Sequence, residues 1–365
     1  MITLPEKVRR TLEKVVKEMK VKENVYGIGL FGSWSRGDAG PSSDVDLLIL
    51  DRAKFNDEYV ERIEAGGLFV DLDHVSKHWI HGVIPPEIDQ KLYEIQILYH
   101  RDWSLTNTKL LMAKSYSSSE RIDIRTEAHV VESDIYLSRA TSALSREDFQ
   151  SAHLFAIVAF ESILKVLIEV TLEPFSNSRF LEKLEISTQK LSMHDSYEEY
   201  LKTSRLDRTD ETTAKEKVRL FKAFWDEIRA VTSRSSEALE SVHCRVRMKL
   251  SYYLTPAFLS GAVMRAGSLT DSGRFAEASH YLGDILLDLM ENYVWLKSST
   301  NKVKIDYTTM LRSLRVLGES NYENVTKFLG LVGIDRSKAS ETIDKARATM
   351  RRIRADRKTL IKNLH

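Results

Sequence analysis

The chain has 365 residues, more than one compact core usually accommodates, so two or more folding units are expected. Hydrophobic residues make up 42% and charged residues 29%, which excludes wholesale disorder, while 54 basic against 53 acidic residues exclude a uniformly basic polyanion binder. A single cysteine, Cys244, excludes an internal disulfide and a multi-cysteine zinc site, and six prolines with fifteen glycines favour long helices.

Leu4, Val8, Leu12, Val15, Val16 and Met19 recur at helical spacing, so residues 4–20 read as an amphipathic helix. The N-terminal stretch is charged throughout and lacks the apolar core of a secretory signal. Val25–Phe31 reads as a strand running into a tight turn at Gly32-Ser33, residues 44–50 (DVDLLIL) as a second strand, and Leu68–Ser76 (LFVDLDHVS) as a third. Residues 92–99 fit a further strand or a short helix. Beyond the polar stretch 115–119 the pattern becomes helical over 121–145, 149–172, 213–233, 236–253, 272–297 and 338–362, with Glu173-Pro174 and Thr255-Pro256 as stops. The expected division is 1–104, 105–300 as a helical bundle, and 301–365 as a basic helical extension. The longest apolar stretches, such as 154–160, are interrupted within about ten residues, short of the roughly 20 that span a bilayer. No membrane partner and a cytoplasmic chain are therefore expected.

Residues 29–50, GLFGSWSRGDAGPSSDVDLLIL, carry the most chemistry. At Gly32-Ser33 the missing Cβ lets a backbone approach a ligand closely, and unpaired N–H groups at a helix start suit phosphate. Ser33 adds a hydroxyl donor, and Arg36 offsets phosphate charge. Asp44 and Asp46 lie two apart on a strand, so both carboxylates leave from one face. Hard oxygen ligands of this kind suit Mg²⁺, or Mn²⁺ in its place, held together with substrate phosphates. Asp71 and Asp73 likewise share a face of the third strand. If that strand neighbours 44–50, a third carboxylate meets the pair, and two ions roughly 3.5–4 Å apart would clamp an in-line phosphoryl displacement.

The stretch resembles the signature of the DNA polymerase β-like nucleotidyltransferase superfamily: a Gly-Ser pair followed, after about ten residues, by Asp-x-Asp. Gly32-Ser33-x-x-Arg36-Gly37 and Ser43-Asp44-Val45-Asp46 are most similar to the minimal nucleotidyltransferases and to the aminoglycoside and lincosamide enzymes. The resemblance covers residues 25–76 and extends over 1–104. It implies an α+β chain, with a mixed sheet and its helices followed by an all-α bundle. It further implies that Gly32, Ser33, Arg36 and Ser43 face the nucleotide, that Asp44 and Asp46 hold the metals, and that a third aspartate activates the acceptor hydroxyl. Val70-Asp71-Leu72 fits the family's third carboxylate best, with Asp73 as runner-up. The implied reaction moves a nucleoside monophosphate from an NTP to a hydroxyl and releases pyrophosphate. The acceptor stays open among a small molecule, a protein hydroxyl and an RNA end. The alternative is a non-catalytic nucleotide- or RNA-binding protein that keeps the fold.

Other groups carry weaker signals. His74, His78 and His81 lack a partner set for zinc and read as surface histidines near the nucleotide cleft. Glu161 and Lys165, four apart on an apolar helix, read as an intrahelical ion pair, with a carboxylate aimed at the cleft as the functional alternative. Arg274 and His280 match the Arg-x(4–6)-His spacing of HEPN-type helical domains, although Phe275 departs from the polar residue usual there. The helical region resembles those domains and the kanamycin nucleotidyltransferase C-terminal domain, which implies a bundle that holds either the acceptor or a second subunit, the second case making a homodimer. Residues 301–365 hold 15 Lys/Arg against 7 Asp/Glu, a surplus of +8. Within them 345–362 reads as a solvated helix face, with RNA contact as the alternative.

Overall fold

Helix α1 (Glu6–Met19) buries Val8, Leu12, Val15 and Met19 on one stripe, the face the sequence spacing predicts. It is followed by β1 (Val25–Phe31), the one-turn helix α2 (Gly32–Arg36), β2 (Val45–Asp51), β3 (Tyr59–Ala65), β4 (Leu68–Ser76), α3 (Asp89–Glu94), β5 (Gln96–His100) and α4 (Ser104–Ser115). The computed structural model describes residues 4–82, 84–234 and 236–364.

The strands form one mixed sheet in the order β3-β4-β2-β1-β5. Strands β2 and β4 run parallel, while β1/β2, β1/β5 and β3/β4 are antiparallel. Leu47, Ile49, Val70 and Leu72 pack with the α1 stripe in one apolar core. The period of two therefore sends Asp44, Asp46, Asp71 and Asp73 to the opposite face. Residues 92–99 prove to be both of the expected things, the end of α3 and then β5. Strand β3, which the sequence reading lacks, fills the sheet edge.

The remaining helices are α5 (Ser119–Ser145), α6 (Phe149–Val170), α7 (Phe180–Lys190), α8 (His194–Thr203), α9 (Glu211–Arg234), α10 (Ser236–Ser241), α11 (Cys244–Tyr253), α12 (Pro256–Asp271), α13 (Phe275–Asn301), α14 (Met310–Leu317), α15 (Glu319–Phe328) and α16 (Arg336–Leu364). The chain divides into two compact units. One comprises the chain up to Arg121 together with Thr255–Arg265; the other comprises Ile122–Leu254 and Ala266–His365.

In the second unit α6 is the core helix, with α16 packed along it and α13 against α9 and α11. Contrary to the expectation of short interrupted stretches, α6 has 22 residues and is long and apolar enough to cross a membrane. Its most apolar window is 83% buried, as in the core helix of a globular bundle. Helix α11 ends at Tyr253, ahead of the expected stop at Thr255-Pro256, and Pro256 also begins α12, since proline's missing N–H costs nothing at a first helical position.

Candidate functional site

The parallel register places Asp46 beside Asp71, and Val45 beside Val70. One carboxylate oxygen from each of Asp44, Asp46 and Asp71 lies within 4.8 Å of the others. The structure thus brings the third carboxylate from Asp71. Asp73, two residues on, is bound by Lys91, which also reaches Glu58 at 2.8 Å. Burial raises the Asp73 carboxyl to about 6 against the opposing pull of Lys91.

Gly32, the first residue of α2, has φ +72°, and a Cβ there would lie 2.3 Å from Asp46 Oδ2. The Gly-Ser turn therefore abuts the triad, and only glycine fits the gap. The Gly32 N–H donates to Glu94 Oε1 at 2.8 Å, and Arg36 reaches Glu94 Oε2 at 2.8 Å and Asp38 Oδ1 at 3.3 Å. Arg36, expected at the phosphates, is thus held by Glu94, whose side chain is 8% exposed and which braces the turn from below. Ser43 accepts the Gly40 N–H at 2.9 Å and tightens the loop ahead of Asp44. Among the described residues no hydrogen bond engages the Ser33 hydroxyl, while its carbonyl accepts from Gly37 and Asp38.

Two arginines absent from the sequence reading complete the site. Arg62 of β3 stands opposite Asp71 in the antiparallel register. Its Nε and Nη2 donate to the two Asp71 oxygens at 2.7 and 2.5 Å, and Nη2 also reaches Asp44 Oδ2 at 2.6 Å. Arg265 of α12 grips Asp44 Oδ1. Burial would raise Asp44, but Arg265 and Arg62 outweigh it and hold its carboxyl below the usual range. Asp46 goes the other way: burial, then the charges of Asp44 and Asp71, push it well above. The set fits a hard divalent cation on this ground: clustered oxygen donors, one of them short of positive charge. The signal for Arg62 was the turn Gly66-Gly67 just before a known strand, which implies a hairpin partner over 59–65. Nothing in the sequence announced Arg265.

The three histidines do not converge. His74 is buried and stacked on Tyr59 at 4.5 Å, not a surface group, and His78 and His81 lie on the turn Lys77–His81. A second titratable cluster lies inside the helical unit. Glu161 meets Lys165 at 3.0 Å, His280 Nε2 at 3.2 Å and the Tyr200 hydroxyl at 3.1 Å, and Asp284 lies 3.6 Å from His280 Nδ1. Burial opposes the His280 charge, but Asp284 and Glu161 raise it to about 9. The intrahelical pair expected of Glu161 and Lys165 exists, and a network of matched charges surrounds it. Arg274 is committed to Glu182 at 2.5 Å and Glu277 at 3.1 Å.

A family model of the nucleotidyltransferase domain matches residues 12–103. No curated protein matches the chain. Among solved structures, a nucleotidyltransferase-like protein from Exiguobacterium sibiricum matches 85% of this chain and 91% of its own, at 12% identity and a TM-score of 0.33.

Proposed function

We propose that the chain uses the nucleotidyltransferase domain matched at residues 12–103, which resembles the polymerase β-like superfamily, to transfer a nucleoside monophosphate from an NTP to a hydroxyl. The observation that carries this reading is the convergence of Asp44, Asp46 and Asp71 against the Gly32-Ser33 turn. In the transfer, the acceptor oxygen bonds to the α-phosphorus, the bond from that phosphorus to the bridging oxygen breaks, and pyrophosphate leaves with the electron pair. Asp71 takes the acceptor's proton, the role the family resemblance gives to the third carboxylate, which the parallel register sets beside Asp46. Ser33 offers its hydroxyl to the phosphates, while Glu94 fixes the turn and the Arg36 charge beside them. Asp44, Asp46 and Asp71 would hold Mg²⁺ or Mn²⁺, which when bound neutralises phosphate charge. Positioning and electrostatics supply the rate.

The acceptor is a small hydroxylated molecule, a protein side chain or an RNA end. Incubating the chain with labelled NTPs, Mg²⁺ and cell extract separates these by which molecules acquire label. Asp46→Asn is expected to keep the fold, read by circular dichroism, and to abolish metal-dependent pyrophosphate release. Undiminished release in that variant would remove the proposal. ATP binding by the unmodified chain with no pyrophosphate release across acceptors would instead favour a binding protein that keeps the fold, a reading to which the two arginines on the triad lend some support.

A further inference from the structure

The side chain of Arg62 is 5% exposed, and its surroundings are built to keep it in place. The Phe258 and Phe69 rings lie 5.3 and 5.9 Å from its Cζ, positions suited to cation–π contact. Gly261 leaves the room it needs, since a Cβ there would come within 2.7 Å of Nη1. Its planar fork engages Asp71 through two nitrogens and reaches Asp44 with one of them, a geometry an ammonium group does not reproduce. These contacts lie on two of the three carboxylates a pair of metal ions would share.

The charge of the site points the same way. Once ionised to take a metal, Asp44, Asp46 and Asp71 carry three negative charges, and Arg62 with Arg265 returns two of them. One divalent ion then brings the site to a single positive charge, the value three carboxylates alone would reach only with two ions. A second ion here would face a fixed guanidinium across a few ångströms in a partly buried site, where like charges repel strongly. Asp46 is the carboxylate to which neither arginine is hydrogen-bonded among the described residues, and it lies against the Gly32 turn.

We propose that Arg62 is a resident cation of the site, its guanidinium standing where one of two metal ions would otherwise bind, so that the chain loads a single divalent ion with its nucleotide. Arg62 acts through Asp44 and Asp71 and is a positioning residue. The inference rests on the nucleotidyltransferase reading, and the two fail differently. The test counts Mn²⁺ bound to the full chain by paramagnetic resonance, with a non-hydrolysable NTP analogue at saturation, beside a separate measurement of pyrophosphate release. One Mn²⁺ per unmodified chain is expected, and two in Arg62→Met, where Asp71 is released from the fork. Two Mn²⁺ in the unmodified chain, with pyrophosphate released, would overturn the role of Arg62 and leave the transferase reading standing. No bound Mn²⁺ and no release would overturn both. A count of one in both proteins would show that Arg62 does not exclude the second ion. Should Arg62→Met fail to fold, the count in the unmodified chain decides alone.

Discussion

Gly32 shows how tightly a single position couples backbone to chemistry. Its φ of +72° lies where a side chain is strained, and the vacant Cβ position is 2.3 Å from Asp46 Oδ2, 3.1 Å from Cγ and 3.3 Å from Cβ. Gly32→Ala therefore meets two penalties. The left-handed backbone costs roughly 1–2 kcal/mol, and the new methyl must displace either the turn or the Asp46 carboxylate. Displacement of a reacting group by about 1 Å can cost on the order of 100-fold in rate. The expected result is a modest fall in melting temperature with a far larger loss of pyrophosphate release. Calorimetry and turnover on the same preparation check it, and an unchanged turnover would show that Asp46 tolerates the shift. Glu94 belongs to the same small-scale design: a buried carboxylate that takes the Gly32 N–H and the Arg36 guanidinium leaves the turn rigid beside the triad.

At the scale of elements, the hairpin of β3 and β4 delivers Arg62 to Asp71. Gly66 and Gly67 connect the strands with φ +59° and +67°, the signs a two-residue turn matching strand twist requires. Replacing both by alanine is expected to destabilise the first unit by roughly 2–4 kcal/mol, two strained residues at 1–2 each, because the Gly66 methyl would also meet Thr11 Oγ1 at 2.4 Å. Urea unfolding followed by far-ultraviolet dichroism measures this, and Asn at the first position, which tolerates positive φ, should recover part of the loss. The same hairpin marks where sequence reasoning stops. Strands β1 and β4 were legible to the residue, because apolar runs end at glycine or at polar turns. Asp44 and Asp46 were legible as a pair because a period of two decides the face, but the same period puts Asp71 and Asp73 on one face, and only the family resemblance favoured Asp71. Strand β3 was hidden because Glu61, Arg62 and Glu64 break its apolar alternation on a half-exposed edge. Helix α12 was hidden behind a proline read as a stop, and Arg265 lies 221 residues from the Asp44 it holds. Local spacing carries no trace of such a pairing.

At the scale of the whole molecule, charge balance is largely a matter of internal pairing. The basic helix α16 directs Arg357 to Asp123 and Glu127 at 3.0 and 2.5 Å, Lys345 to Glu199 and Glu341 at 2.8 and 2.9 Å, and Arg352 and Arg354 to Asp195 and Asp134. Much of the +8 surplus is thus spent on acids of the same unit. Buried titratable groups then govern how that unit responds to acid. His153, buried on α6 with its Nδ1 2.9 Å from the Thr342 hydroxyl, is lowered to about 4, by burial first and then by the nearby Arg205 and Lys338 charges. Its folded value lies below the ordinary 6.5, so the unfolded chain takes up the proton first. Its contribution is full above pH 6.5 and is lost as pH falls towards 4, by about 3 kcal/mol at the lower end. Asp284, raised to about 7 by burial and by Glu161, has the opposite sign, since stability falls as pH rises from its ordinary 3.8 towards 7. His280, raised to about 9, stays charged in the folded chain across this window, and its contribution begins to fall only near pH 6.5, where the unfolded histidine loses its proton. The bare pH profile therefore mixes opposing slopes, and a difference between two proteins isolates one of them. His153→Gln keeps a polar partner for Thr342 and cannot titrate. Urea midpoints of both proteins between pH 4 and 7 should show the unmodified chain losing stability relative to the variant as pH drops through 6.5. Parallel curves would mean that His153 takes up its proton equally in both states, so its burial beside Arg205 and Lys338 would not govern the acid response.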